Sequence, residues 1–193
     1  MSTSNKRNTF KDTIWIYKGR SLVKQLPATP SFSSAKRCIV YMGLHLYQQH
    51  SKQIDVYCDS LRSRGYSLLQ VVLYPTRDPK TISAQQSPDT LHLCLKDVTF
   101  SGFPKKPILE KLQNFNADIF INFNGDFSYA DMGFALCSRA PYRVSPYQLE
   151  YKPYFNILLK SRNDESLPQY LNSIDAFFKH LSSGVVSYFG SQP

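Results

Sequence analysis

The sequence has no apolar run approaching the roughly 18 residues needed to cross a bilayer. Its apolar runs, Ile119–Ile121 and Val71–Leu73 among them, have the length of strands. Its four cysteines, Cys38, Cys58, Cys94 and Cys137, form no C-x-x-C pair, so the closely spaced ligands of a metal or redox site are missing. Each lies in an apolar segment, which favours buried structural thiols and a reducing, cytosolic compartment. Neither G-x-G-x-x-G, G-x-x-x-x-G-K-S/T nor G-x-S-x-G occurs, which disfavours classical nucleotide and serine-hydrolase chemistry. The N-terminus lacks the apolar stretch of a secretory signal. The four histidines form no ligand set, and no metal or other cofactor is expected.

Acid is also scarce: 14 Asp and Glu stand against 23 Lys and Arg, for a formal charge of +9. The imbalance is local. Residues 1–37 carry Lys6, Arg7, Lys11, Lys18, Arg20, Lys24, Lys36 and Arg37 against Asp12 alone, a charge of +7. The rest of the chain is nearly neutral. Such asymmetry points to a nucleic-acid or anionic-surface partner.

What is present fits one domain of ordinary core size. Hydrophobic content of 42% and aromatic content of 14% exclude a disordered chain. Branched and apolar runs predict strands at Arg37–Met42, Ser67–Leu73, Leu91–Lys96, Asp118–Phe123, Tyr142–Val144 and Phe155–Leu159. Ile54, Tyr57, Cys58 and Leu61 recur at helical spacing, and Pro107–Asn114 suits a short helix. Ser128-Tyr-Ala-Asp131 matches a capping box that opens a helix to about Ser138. Ser166-Leu-Pro-Gln169 opens another, with a stripe from Leu167 to Leu181. Residues 75–90, with three prolines, read as a long surface loop. The expected architecture is a single Rossmann-like α/β domain, with a mostly parallel sheet of five or six strands and helices on both faces. It spans residues 36–183, between a basic arm (1–35) and a tail (184–193).

Ligands of such sheets bind outside the carboxyl ends of the strands. His45, Asn122, Asn124 and Asp126 are therefore the candidate pocket residues. The plainer alternative is a turn at Asn124-Gly125-Asp126 followed by a helix cap at Ser128. The arm offers a second site. Lys6, Arg7, Lys11, Lys18, Arg20 and Lys24 interleave with Phe10, Trp15 and Tyr17. Cations neutralise phosphates, and aromatic rings stack on exposed bases. Lys6, Arg7, Lys11, Trp15, Tyr17, Lys18, Arg20 and Lys24 are the expected nucleic-acid contacts. The plainer alternative here is a helix packed on the domain by Ile14, Trp15 and Ile16, its lysines merely solvated. An anionic membrane would instead use Phe10, Ile14 and Tyr17 as a buried edge.

The stretch beginning at Ala117, A-D-I-F-I-N-F-N-G-D-F-S-Y-A-D-M-G-F-A-L-C-S-R-A-P-Y-R-V, resembles an uncharacterised Bacteroidota family known as a domain of unknown function. Asp97-Val-Thr-Phe-Ser-Gly-Phe-Pro, Tyr154–Leu159 and Asp164–Leu181 extend the resemblance over residues 35–181. It implies no catalytic residue. The strand-helix-strand unit is also similar to the N-terminal lobe of heptosyltransferase-type glycosyltransferases, which bears on the fold alone. The resulting expectation is a non-catalytic module that docks through its arm on RNA or a ribonucleoprotein, the ribosome among them, with protein partners also open. Deleting residues 1–26 is expected to abolish that binding and leave the fold intact. The alternatives are a small-molecule or nucleotide-sugar-binding, glycosyltransferase-like domain and a peripheral membrane adaptor.

Overall fold

A computed structural model describes residues 9–27, 34–78, 80, 89–159 and 167–182. Six strands, β1 (Arg37–Gly43), β2 (Ser67–Tyr74), β3 (Thr90–Cys94), β4 (Ile119–Asn122), β5 (Tyr142–Pro146) and β6 (Ile157–Leu159), form one sheet. Their order is β3-β2-β1-β4-β5-β6, and every neighbouring pair is parallel. The Rossmann-like α/β domain is thus present, with a sheet that is wholly parallel.

A parallel sheet covered on both faces needs strands that are apolar on both sides, and the central strands meet that demand. Ile39, Tyr41 and Phe120 point to one face. Cys38, Val40, Met42, Ile119 and Ile121 point to the other. α3 (Leu44–Ser63) and α6 (Leu167–Ser182) cover the second face with Ile54, Tyr57, Cys58, Leu61, Tyr170, Ile174 and Phe178. α3 begins ten residues before the apolar stripe that announces it and bends at His50, whose φ of −129° and ψ of 18° are not helical. The first face is covered by α4 (Lys106–Phe115), by α5 (Tyr129–Cys137) and by the segment that precedes the sheet. All four cysteines are buried and free, and burial pushes Cys58 and Cys137 up to about 11. Thiols held protonated in this way are packing groups and not nucleophiles.

The basic segment before β1 is helical: α1 (Thr9–Ile14) passes through a π turn at Trp15–Gly19 into α2 (Arg20–Lys24). Trp15 fastens it to the domain. Its ring is 2% exposed, stacks on Phe103 at 4.4 Å and meets Tyr154 edge-on at 5.2 Å. Its Nε1 donates to the Ser101 carbonyl at 2.8 Å. Burying an indole with its N–H satisfied is worth on the order of 3 kcal/mol. Trp15 is therefore a core residue, which corrects its assignment as a base-stacking ring. Ile16, expected to pack with it, is 48% exposed, because the wide turn carries it outward. Lys6, Arg7, Ser166 and the tail 184–193 lie outside the described residues.

Candidate functional site

In this strand order the chain reverses direction between β1 and β4, and the crevice between their carboxyl ends is where such folds receive ligands. Side chains fill it here. The Asn124 carboxamide accepts from the Gly43 backbone N–H at 2.8 Å and so ties the end of β1 to the end of β4. Its Nδ2 donates to Asp131 Oδ1 at 3.0 Å. Asp131 Oδ2 accepts from the Tyr151 hydroxyl at 2.6 Å and from Asn122 Nδ2 at 3.2 Å. Tyr41, on β1, is buried beside the same carboxylate. Asn122 is closed off by Ser145 Oγ at 3.1 Å, and its backbone carbonyl accepts from the Tyr170 hydroxyl at 2.9 Å. One carboxylate thus gathers β1, β4, α5 and the short helix Leu149–Tyr151, with β5 joined through Asn122.

Asp131 is 1% exposed, and among the described residues no cation pairs with it. Burial raises its pKa from 3.8 to about 6, and the hydrogen bonds from Tyr151, Asn124 and Asn122 offset part of that rise. The folded state holds this proton more tightly than the unfolded chain does. The associated stability is full below about pH 4 and is lost as pH climbs through about 6. A rise of that size corresponds to about 3 kcal/mol. Denaturant titrations of wild type and Asp131→Asn across this range should diverge by that amount, wild type weakening toward neutral pH. Parallel curves would remove Asp131 as the source.

The four expected pocket residues do not converge. Asn122 and Asn124 lie in the buried network. His45 is exposed on α3, where its Nε2 is 3.2 Å from the Gln49 side chain four residues on. The Asp126 side chain is exposed too, and only its backbone carbonyl approaches the network, 3.1 Å from the Tyr151 hydroxyl. A turn ends β4 at this point, so side chains two residues apart leave on different courses. Ser128 caps α5 as expected, accepting from the Ala130 N–H at 3.1 Å. Asp131 is not its capping-box partner, because its carboxylate turns into the core.

The accessible space lies alongside. A cleft of about 1050 Å³ opens at the same edge of the sheet, on the α5 face. Its walls come from the segments following β2 (Arg77), β3 (Leu95 and Val98–Phe100), β4 (Phe127–Ala130) and β5 (Leu149, Glu150, Pro153 and Tyr154), and from α1 with the Trp15 turn. Asp12 accepts from the Tyr129 hydroxyl and holds the helical segment to the start of α5. The Lys11 ammonium lies over the rings of Phe100, at 4.5 Å, and Tyr129, at 5.5 Å.

No family model, curated protein or solved structure matches this chain. The site is therefore read from its own geometry. Among the described residues no three His, Cys, Asp or Glu side chains group to hold a metal ion, and no helix is long and apolar enough to cross a membrane. The buried network is a scaffold that fixes the cleft walls. Among the described residues, two surfaces suited to meeting a partner are the cleft and the outer side of the N-terminal helix. There Phe10 and Tyr17 are 66% and 76% exposed, and Arg20 and Lys24 are exposed too, whereas the Lys18 ammonium turns to the domain and lies over the Phe103 ring at 4.3 Å. Of the other segment cations, Lys36 lies over Tyr66 and Arg37 neighbours Asp118 at 3.9 Å.

Proposed function

We propose that the protein is a non-catalytic binding module that docks on RNA or a ribonucleoprotein through the outer face of its N-terminal helix. The observation that carries this reading is the exposure of Phe10 and Tyr17 on a helix whose other aromatic, Trp15, is spent on anchoring it. Two large rings left in water on the helix that carries Arg20 and Lys24 combine base stacking with phosphate neutralisation. A rigid helix presents them at less entropic cost than a floppy arm would. A membrane would demand a continuous apolar edge, and Ile14, in the middle of the one available, packs against the core instead.

Removing residues 1–26 would uncover Phe103 and Tyr154, so surface substitutions make the cleaner test. Tyr17→Ala should weaken single-stranded RNA binding about 10-fold at unchanged melting temperature. Arg20→Glu with Lys24→Glu should weaken it further and flatten the dependence of log K on log salt by roughly 2. RNA affinity that ignores both variants, or salt, refutes the reading.

A further inference from the structure

The cleft is a separate surface from the outer face of the helix, and its chemistry is specific. Two cations face it, Lys11 from α1 and Arg77 from the segment after β2, and among the described residues neither pairs with a carboxylate. Asp12 and Glu150 also line it, but Asp12 already accepts from the Tyr129 hydroxyl. Phe100 stands at the rim, 65% exposed, on a segment anchored by the bond from Trp15 to Ser101. Phe100 thus offers the cleft a flat apolar ring, and Lys11 and Arg77 offer it positive charge that, among the described residues, no carboxylate takes up, a combination suited to a flat anionic ligand. The space of about 1050 Å³ is at the upper end of small-ligand sites and has room for a ring, a sugar and a phosphate together. Its position, outside the carboxyl ends of parallel strands, is where such sheets bind ligands.

We propose that this cleft binds a mononucleotide-sized phosphate ester, the ring stacked on Phe100 and the phosphate held by Lys11 and Arg77. Lys11 now rests over the Phe100 and Tyr129 rings, so a base stacking on that face of Phe100 takes the place of its ammonium and turns it toward the phosphate. The site stands independently of RNA docking on the outer helix face.

Trp15 lines the cleft and is the chain's one tryptophan, so its emission reports occupancy directly. The full chain titrated with adenosine or uridine monophosphate should give a saturable change. Inorganic phosphate and free adenosine should each bind at least about 10-fold more weakly, since each lacks half of the recognition. Phe100→Ala, Lys11→Ala and Arg77→Ala should each weaken the mononucleotide about 5- to 10-fold, while Tyr17→Ala leaves it unchanged. A 5′-phosphorylated oligonucleotide identifies the source. If it binds more tightly and is lost with the same three variants, the ligand is an RNA end; if not, it is a free nucleotide. No saturable change with either monophosphate, or binding indifferent to all three variants, overturns the proposal.

Discussion

Asp131→Ala is expected to cost about 4 kcal/mol of folding stability at neutral pH, a fall in Tm of roughly 8–16 °C for a chain of this size. The carboxylate carries an unfavourable buried charge, yet removing it is worse than keeping it. It leaves the Tyr151 hydroxyl and the amides of Asn122 and Asn124 facing an empty space of carboxyl size. Two of these donors have somewhere to go. Tyr151 can turn to the Asp126 carbonyl 3.1 Å away, and Asn122 keeps Ser145. The Asn124 amide is stranded at about 2 kcal/mol, and the void left against the buried Tyr41 and its neighbours adds about 2 kcal/mol more. Asp131→Asn keeps the shape and one acceptor but turns an amide N–H toward other donors, so it should lose about half as much. Tyr151→Phe should show a related but smaller loss, because the Ser128 N–H would then lack the oxygen it reaches at 3.0 Å. Thermal unfolding of the three variants checks the order. An alanine variant as stable as wild type would mean that the network does not hold these elements together.

The scaffold was legible in the sequence because it is written in runs and periods. Every strand announced itself by apolar or branched residues, and Ile54, Tyr57, Cys58 and Leu61 all lie on the buried face of α3. Its first ten residues carry no clean stripe, since Leu44, Leu46 and Tyr47 are only half-buried, and periodicity therefore missed them. The site was half legible. Asn122 and Asn124 were found from their place after a central strand, but their partner was not. Asp131 had a signal, as the only charge in the otherwise apolar helix Y-A-D-M-G-F-A-L-C, and the capping-box pattern supplied a competing explanation for it. Tyr151 and Tyr41 had none, because a buried tyrosine hydroxyl looks like any other aromatic until its partner is known. Trp15 shows the same limit. Composition placed it among surface cations, and only the approach of Phe103 and Tyr154 reveals it as an anchor.

Gly133→Ala should be the other severe substitution, again about 4 kcal/mol, although alanine in the interior of a helix normally adds about 1 kcal/mol of stability over glycine. Gly133 lies within α5, and a Cβ there would come within 2.2 Å of the Gly102 carbonyl oxygen, 2.9 Å of its carbon and 3.1 Å of the Phe103 Cα. All three are backbone atoms, so no rotamer can relieve the clash. The loop cannot make room by itself either. Gly102 sits at a φ of +91°, and its own Cβ direction points at the Tyr129 carbonyl 2.6 Å away. Helix and loop touch backbone to backbone, and any separation must carry Phe103 and Ser101 with it. Those residues hold Trp15, by a stacked ring and by the acceptor of its N–H. The expected result is therefore wider than a loss of stability. Trp15 emission should shift to the red, and the N-terminal helix should become open to proteolysis, as the wall of the cleft moves away from α5. Gly125→Ala is the control, since a Cβ there meets nothing within 4 Å, and it should change stability by no more than about 0.5 kcal/mol. A Gly133→Ala protein with wild-type stability and unshifted Trp15 emission would show that the loop does not fasten the N-terminal helix to the domain.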